Sequence, residues 1–545
     1  MADARTDKAV TASRLVTIAG GMRVHIRVAG SGPPLLMLHE SPRSSASMVG
    51  LMRQLSHRFT MIAPDTPGYG WSDPLPAERP EIADYAAMLP LLLDALRLES
   101  VLVYAMHTGA LIAVEAARRY PERFSALVAD GYPAFSPDER TAHLRTYLPS
   151  FLPSADGTHA TWLWSRVRDQ FTAFPWHSRT NGDRLQFGPP GPGALHRIAC
   201  DFLAAGDGYR TGYEAAFRHP PLQPLNDLAV PTALCFRPDD VLDAHRPRIT
   251  HMSGSTHVRS LDADRKTATA QIADLLGIHA QQCETTDTDI LLSGLAEPHG
   301  GRRLASSGDV IAEWETQRIG HGPSIVIVPD WPFHADPLRE LIQTLSERFE
   351  VHVLRVRQWP QDGSPGALKK IIASQTRNAT LAAFFGASAA LADASKAAGT
   401  VLCDPWRLAC DGPSDELPNL EPVWDGSHMT RAFSMARDMA LYRPFWRRQN
   451  DRLRDLAHAD PAPLHASFAA IAQGGTAAMA LLDRMLSETR RWPSHTAVIV
   501  DGSEPDGGAQ AAAARNQGLP VRQAASTTGD LAAGIADLAD MAVAA

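Results

Sequence analysis

The chain has 545 residues, 44% of them hydrophobic, and a formal net charge of −8 at pH 7. This length exceeds what one hydrophobic core usually organises, so we expect two to four domains. The weak negative charge offers no basic surface to nucleic acid or a membrane, and no signal peptide or run of about 18 apolar residues is present, so we expect a cytoplasmic protein with neither partner.

The sequence does not indicate a cofactor or a metal. Its five cysteines are few, scattered and odd in number, which argues against a disulfide framework or a zinc site. No phosphate-binding glycine loop follows the first strand, and no Cys and His cluster has the spacing of metal ligands. We therefore expect a small-molecule substrate and no cofactor.

The first predicted elements are three strands separated by glycine-containing turns, over residues 14–18, 22–28 and 34–39. The third strand is a continuous apolar run, which is typical of a strand buried on both faces. It ends in the sequence His39-Glu-Ser-Pro42.

Strands and helices then alternate. A helix over 46–55 leads to a strand and to the turn Asp65-Thr-Pro-Gly-Tyr-Gly-Trp-Ser72, and a further helix covers 82–98. This alternation predicts an α/β fold with a doubly wound, mostly parallel sheet.

The apolar strand at 101–106 runs directly into a helix, with His107 as the polar side chain at the bend. Ala105 and Gly109 are the small residues on either side, as a sharp strand-to-helix turn requires. A residue at such a turn adopts a strained left-handed conformation, which histidine accepts more readily than most residues.

These motifs resemble the α/β-hydrolase superfamily, in particular the capped epoxide hydrolases and haloalkane dehalogenases. The bend around His107 is similar to the nucleophile elbow, and His39-Glu-Ser-Pro42 is similar to the His-Gly-x-Pro loop, with Glu40 in place of glycine. The resemblance implies an oxyanion hole formed by the backbone N–H groups of Ser41 and Thr108.

The resemblance also assigns the rest of the first half. A cap is expected at 136–229, where aromatic helical sequence interrupts the alternation. Asp240, with Asp239 as the fallback, matches the catalytic acid after the next strand, and His257 matches the catalytic histidine. The order nucleophile, acid, histidine is that of the superfamily.

The second half repeats the first. Placing Gly32 on Gly322 aligns Pro42 with Pro332 without a gap, and the cap repeats at a second fixed offset. We therefore expect two tandem α/β-hydrolase-fold domains that pack as a pseudo-dimer. The expected segments are a first domain at 1–278, a connector at 279–301, and a second domain at 302–545 with its cap at 406–493.

The second copy is expected to be degenerate. Its elbow offers Ser388, but Glu504 and Thr528 fall where the acid and the histidine were, and a serine without a base is a poor nucleophile. Several polar cap residues recur in this copy and are interpreted as structural, with an N-cap at Asp156 or Thr158. These residues are Asp156, His159, Arg168, Asp169 and, by the same reasoning, His196.

The expected catalytic group is His107, Asp240 and His257, with the two imidazoles sharing a proton. His107 could attack directly, act as a base on water, or only bind. The resulting hypotheses are hydrolysis of an ester, amide, C–C or C–X bond in a small apolar or aromatic substrate, lyase or other acid–base chemistry, and non-catalytic ligand binding. Possible pocket residues are Glu40, Trp162, Trp164 and Trp176.

Overall fold

The chain forms two compact units in the computed structural model. The first contains residues up to Leu152 and from Ser165 to 295, and the second contains Pro153–Trp164 and the residues from 301 onward. The short segment Pro153–Trp164 therefore departs from the predicted segmentation, which placed it in the first cap. The structure describes residues 12–295, 301–318, 322–405, 416–454, 460–487, 492–493, 495–501, 507–524 and 527–544.

An eight-stranded sheet organises the first unit, in the order β1-β2-β5-β4-β6-β7-β8-β9. The pairs β1–β2 and β2–β5 are antiparallel, and all other neighbours are parallel. A separate two-stranded ribbon pairs β3 with β10. The strands are β1 (Ala12–Thr17), β2 (Arg23–Ala29), β3 (Ser31–Gly32), β4 (Pro34–Leu38), β5 (Thr60–Pro64), β6 (Val101–Met106), β7 (Phe124–Asp130), β8 (Thr232–Phe236), β9 (Thr256–Ser260) and β10 (Thr286–Asp287).

Helices cover both faces of this sheet, and α4 to α7 are inserted between β7 and β8, where the cap was predicted. The helices are α1 (Val49–Leu55), α2 (Ile82–Ala95), α3 (Thr108–Arg119), α4 (Pro137–Thr146), α5 (Thr158–Asp169), α6 (Pro192–Ala205), α7 (Tyr209–Arg218), α8 (Arg265–Gly277) and α9 (Thr288–Ser293). The boundary between the two units falls inside α5, between Trp164 and Ser165.

Strand β4 shows why the central strands read as continuous apolar runs. Leu36 and Leu38 belong to the core on the side of α2 and α3, whereas Leu35 and Met37 belong to the core on the side of α1 and α8. Successive side chains of a strand point to opposite faces, so a strand covered on both sides must be apolar throughout.

The turn after β5 is held by the carboxylate of Asp65. Its Oδ1 accepts from the backbone N–H and the hydroxyl of Ser45 at 2.7 and 2.6 Å, and its Oδ2 accepts from Trp71 N–H and lies 2.8 Å from His25 Nδ1. A Cβ on Gly70 would lie 2.1 Å from this carboxylate, which explains the glycine of the motif. The aspartate thus joins β2, the turn after β5 and the helical segment that begins at Ser45, after β4.

The second unit has the same strand order as the first, β11-β12-β14-β13-β15-β16-β17-β18, with the same two antiparallel pairs at one edge. Both sheets confirm the predicted doubly wound, mostly parallel fold. The elements are β11 (Gly301–Ser307), β12 (Val310–Arg318), β13 (Ser324–Val328), α10 (Arg339–Ser346), β14 (Glu350–Gln358), α11 (Gly366–Gln375), β15 (Leu381–Phe385), β16 (Gly399–Cys403), α12 (Ser427–Leu441), α13 (Pro461–Ser487), β17 (Thr496–Asp501), α14 (Gly507–Asn516), β18 (Val521–Ala524) and α15 (Thr528–Ala544).

Backbone details of the cap recur at the offset seen in the sequence. Gly206 has φ 55° and ψ −145°, and Gly475 has φ 51° and ψ −137° inside α13. Asp156 accepts from Thr158 N–H at 3.0 Å, and the carboxylate of Asp425 accepts from the corresponding N–H of the second copy at 2.9 Å. Residues that recur in the sequence at this offset therefore also share their backbone conformation.

No helix within the described ranges combines the length and the apolar character needed to span a membrane.

Candidate functional site

The bend between β6 and α3 places His107 at the carboxyl edge of the sheet. Its backbone has φ 48° and ψ −114°, and α3 begins at the next residue. A Cβ on Gly109 would lie 2.6 Å from the carbonyl oxygen of Leu38, so only glycine fits two residues after the bend. The local sequence therefore forms the sharp turn that its small residues predicted.

His107 is bound directly by Asp240, which follows β8. Its Nε2 lies 2.7 Å from Asp240 Oδ2, and Asp240 Oδ1 accepts from Leu242 N–H at 2.9 Å. Because a carboxylate accepts hydrogen bonds, Nε2 carries the proton and Nδ1 has the free lone pair. Asp239 instead pairs with Arg265 at 2.7 Å, so Asp240 is the carboxylate at the elbow.

The interaction between His107 and Asp240 raises the pKa of the imidazole and lowers the pKa of the carboxyl group. Burial opposes the charged form of His107, but Asp240, its hydrogen bond and the carboxylates of Glu40 and Asp130 outweigh burial and raise the imidazole pKa above 6.5. Burial also opposes ionisation of Asp240, but the neighbouring His107 holds the pKa of that carboxyl well below its usual range. The pair is thus a carboxylate with an imidazole of increased basicity.

Gly131, which follows β7, leaves the space that this pair occupies. It has φ 63°, and a Cβ at this position would lie 2.7 Å from His107 Nε2 and 2.9 Å from Asp240 Oδ2. Both the backbone conformation and the contact exclude a side chain here.

Two backbone N–H groups flank the elbow, one in the loop after β4 and one at the start of α3. Within the described part of the chain, the N–H groups of Ser41 and Thr108 donate to no protein acceptor. The carboxylate of Glu40 is held by Arg43 Nη1 at 3.5 Å and by the hydroxyl of Ser47 at 3.3 Å. The pair of N–H groups matches the positions predicted for an oxyanion hole.

His257 is not brought to this pair, contrary to the expectation from the sequence. It lies on edge strand β9, exposed, in register with Ala233. Strand β8 continues to Phe236, and Asp240 comes after it, so His257 lies well before the carboxyl edge of the sheet. Among the described residues its ring makes no hydrogen bond to His107 or Asp240.

The three tryptophans predicted as pocket residues separate between the units. Trp162 and Trp164 lie in the part of α5 that belongs to the second unit, where Trp164 Nε1 donates to the carbonyl of Trp424 at 3.0 Å. Trp176 belongs to the first unit, where its Nε1 donates to the carbonyl of Tyr147 at 3.0 Å. Of the three, only Trp176 shares a unit with His107.

Sequence reasoning missed a buried group beside the dyad. Asp130, at the end of β7, accepts from the hydroxyl of Tyr104 at 2.8 Å and lies 3.3 Å from Arg237. Burial raises the pKa of Asp130, although Arg237 and the tyrosine oppose this effect. A carboxylate that ends an otherwise apolar strand was the available signal.

The second unit has a glycine at the corresponding elbow position, not Ser388. In the first sheet Leu38 pairs with Ala105, two residues before the elbow, and in the second Val328 pairs with Phe384, so the elbow residue is Gly386. Gly386 has φ 55°, close to the value for His107.

Ser388 is buried inside the second unit. Its hydroxyl donates to the carbonyls of Val328 and Phe385 at 3.0 and 2.8 Å. Thr528 begins α15, as Arg265 begins α8, and is thus no counterpart of His257. Glu504 lies outside the described residues.

A carboxylate occupies the second elbow. A Cβ on Gly386 would lie 2.1 Å from Asp330 Oδ2, and Asp330 Oδ1 accepts from Ala387 N–H at 2.8 Å. The backbone of Trp331 also hydrogen-bonds to this carboxyl group. Ala387 and Trp331 correspond to Thr108 and Ser41, so Asp330 engages the donors that are unoccupied in the first unit.

Among the described residues, no group of three or more His, Cys, Asp or Glu side chains is arranged to hold a metal ion. Three cysteines are buried and Cys200 is half-buried, and Cys410 lies outside the described residues.

The strand order, the elbow and the carboxylate after β8 define an α/β-hydrolase fold. The family model described as alpha/beta hydrolase fold matches residues 33–175. The chain is 38% identical over 117 residues to 2-(acetamidomethylene)succinate hydrolase of Mesorhizobium japonicum, covering 22% of this chain and 41% of the relative. It is 34% identical over 122 residues to 2-hydroxymuconate semialdehyde hydrolase of Pseudomonas sp. strain CF600, covering 21% and 41%.

Among solved structures, epoxide hydrolase A from Mycobacterium thermoresistibile is similar with a TM-score of 0.40 and 21% identity, covering 51% of this chain and all of that one. The matched segments span between 31% and 54% of the length of these curated relatives. The family match therefore places residues 33–175, which lie mostly in the first unit, in the α/β-hydrolase superfamily.

Proposed function

We propose that the first unit is a hydrolase that uses His107 and Asp240 as a general-base dyad. The supporting observation is the 2.7 Å bond from Asp240 to His107 Nε2, which leaves Nδ1 with a free lone pair on a side chain that is 29% exposed. The carboxylate holds the tautomer and stabilises the imidazolium that forms when Nδ1 takes a proton.

A base acting on water fits this site better than a covalent histidine. Direct attack by Nδ1 would form an acyl-imidazole and use up the free lone pair, so another base would have to activate water if the site assisted the hydrolysis of this adduct. His257, the candidate for that second base, lies exposed on β9. A single dyad can instead complete the hydrolysis of a carbonyl substrate without a covalent enzyme adduct.

The reaction proceeds by attack of water on the carbonyl carbon while Nδ1 of His107 accepts the water proton. The oxyanion of the tetrahedral intermediate accepts hydrogen bonds from the N–H groups of Ser41 and Thr108. The intermediate then breaks the bond to the leaving group, which receives the proton from Nδ1. The products are an acid and the protonated leaving group, and the dyad returns to its starting state.

The substrate in this proposal is a small organic molecule in which the cleaved bond joins a carbonyl carbon to the leaving group. This bond is that of an ester, an amide or an activated C–C bond. Two relatives are named as hydrolases of small molecules, one of 2-(acetamidomethylene)succinate and the other of 2-hydroxymuconate semialdehyde. This similarity supports the class of reaction.

The proposal is tested by steady-state hydrolysis of p-nitrophenyl acetate and a panel of small amides. We expect His107→Ala to abolish turnover and Asp240→Asn to lower kcat by roughly 10²–10⁴-fold. His257→Ala, an exposed change, should leave kcat unchanged. Intact-mass measurement during turnover should show no acyl adduct, because no covalent intermediate forms. An acyl adduct on His107 would refute the base mechanism, and full activity of His107→Ala would refute the site.

A further inference from the structure

The cap of the first unit contains a buried arginine without an acidic partner. Arg166, on α5, is 1% exposed. Its Nη1 donates to the side-chain oxygen of Gln170 at 3.2 Å. Among the described residues, the guanidinium makes no other hydrogen bond. Nε and Nη2 are buried and have no hydrogen-bond partner there. No carboxylate in that part of the chain lies within 4.0 Å of this guanidinium.

Aromatic rings surround this guanidinium. Its Cζ lies 4.5 Å from the ring centre of Trp176, 5.2 Å from that of Tyr147 and 5.6 Å from that of Phe202. Such contacts stabilise a cation over the faces of the rings. They do not satisfy N–H groups, and leaving buried donors of a charged group unpaired is costly.

The two unpartnered atoms form one edge of the guanidinium. Nε and Nη2 carry parallel N–H bonds, the fork that binds both oxygens of a carboxylate. Elsewhere in this unit the same edge of Arg23 binds Asp73, with Nε 2.8 Å from Oδ2 and Nη2 3.2 Å from Oδ1. In Arg166 this edge is complete and buried, and no described residue bonds to it.

The cluster extends toward the loop after β4. The ring of Tyr213 lies 5.8 Å from that of Tyr147. Arg43, in this loop, binds Asp201 on α6 with Nε 2.7 Å from Oδ2, and Phe202 is the next residue of that helix. Helix α6 thus connects the surroundings of Arg166 with the segment that carries the candidate oxyanion donors.

We propose that Arg166 anchors an anion-binding subsite in the cap, which takes a carboxylate group through its Nε–Nη2 edge while Trp176, Tyr147 and Phe202 contact the apolar part of the ligand. This inference rests on the proposed function in one respect, because it adds a carboxylate to the substrate of that hydrolase. The binding itself needs no catalysis.

Benzoate is the probe, because it combines a carboxylate with a flat ring, and benzamide is its neutral counterpart. Titration calorimetry on the full-length protein should detect benzoate and show at least tenfold weaker binding of benzamide. Arg166→Met keeps the volume and removes the charge, and it should lower benzoate affinity at least tenfold. Arg166→Lys keeps the charge without the fork and should give an intermediate affinity.

Arg218→Met is the matched control, since this cap arginine is paired with Glu81 at 2.7 Å. It should bind benzoate as the wild type does. Thermal unfolding without ligand shows whether each variant is folded, and Arg166→Met should be at least as stable as the wild type, because an unpaired buried charge has been removed. A marked loss of stability in Arg166→Met would identify a purely structural arginine and overturn the proposal.

Equal benzoate affinity in Arg166→Met and wild type, or no benzoate binding at millimolar concentration, would also overturn it. His107→Ala separates this inference from the proposed function. It should lose turnover and keep benzoate binding. Loss of turnover in His107→Ala together with unchanged binding in Arg166→Met would leave the hydrolase standing and refute the subsite.

Discussion

His107 can serve as a base because its two nitrogens have different surroundings. Nε2 is fixed by Asp240, while Nδ1 makes no hydrogen bond among the described residues. A hydroxyl at the same bend would need a separate imidazole to accept its proton, whereas an imidazole accepts one itself. In the proposed mechanism, the residue at the elbow is therefore itself the base.

Gly131→Ala should disable the dyad without removing either member. The new Cβ would lie 2.7 Å from His107 Nε2, so the ring and Asp240 must separate. We expect kcat to fall by roughly 10²-fold or more, since small displacements of catalytic groups have effects of this size. Gly206→Ala is the control: it has φ 55° and no atom within 4 Å of its Cβ, so it carries similar backbone strain without the contact. Equal losses in both variants would contradict the steric explanation.

The pH dependence of hydrolysis should report the protonation of His107. The base must be neutral, and its pKa is raised by Asp240 and Glu40, so the rate should increase with pH and reach half its maximum above pH 6.5. Glu40→Gln removes one negative charge and should move this midpoint to lower pH. Glu78→Gln, on the exposed surface, should not move it. A midpoint unaffected by Glu40→Gln would show that Glu40 exerts no field on the ring.

At the scale of single elements, the sequence predicted the elbow, the turn after β5 and Asp240. Each depends on local rules, such as the absence of space for a Cβ at Gly109 or the bonds of Asp65 within its own turn. His257 was misplaced because no local pattern states how far along a strand a residue lies. Its distance from the sheet edge follows from pairing with Ala233, a contact between distant segments.

The second elbow shows the same limit. The run of small residues from Gly386 to Ala390 has several positions that could occupy the bend, and Ser388 is the polar one. Only the pairing of Val328 with Phe384 decides the position. The side chain of Asp330 then fills the space that a nucleophile would occupy, which depends on tertiary packing and has no signal in the local sequence.

Asp330 should make the second unit less stable as pH rises. Burial raises its pKa to about 7, although Arg443 and the backbone hydrogen bonds of Ala387 oppose this effect. Because this pKa lies above that of an unfolded aspartate, the protonated carboxyl group contributes fully to the free energy of unfolding below about pH 4. The contribution, up to roughly 4 kcal/mol, is lost between about pH 4 and 7. Urea unfolding across this range should show the decrease.

The variant Asp330→Asn cannot ionise and should show a flatter dependence of the unfolding free energy on pH. Asp540→Asn, 53% exposed on the same unit, serves as the control and should follow the wild type. Parallel curves for Asp330→Asn and wild type would show that folding does not raise the pKa of this carboxyl group.

At the scale of the whole molecule, the two units share strand order and differ in what occupies the elbow. The first presents His107 with unoccupied N–H donors at Ser41 and Thr108, and the second presents Gly386 with Asp330 on the corresponding donors. The two copies of the fold thus differ at the elbow, which carries an imidazole in the first unit and no side chain in the second. The division of the chain inside α5 could not be predicted, since it depends on which unit packs against residues 153–164.

We therefore expect one catalytic site per chain, and the second unit should contribute nothing to turnover. Ser388→Ala tests this directly, because Ser388 is the hydroxyl of the degenerate elbow and is fully buried. Its kcat and KM should equal those of the wild type, whereas the unfolding free energy should fall by about 1–3 kcal/mol, since its hydroxyl satisfies the carbonyls of Val328 and Phe385. Ser374→Ala, an exposed serine of the same unit, should change neither quantity. Lower turnover in Ser388→Ala at a temperature where the variant remains folded would assign a catalytic part to the second unit.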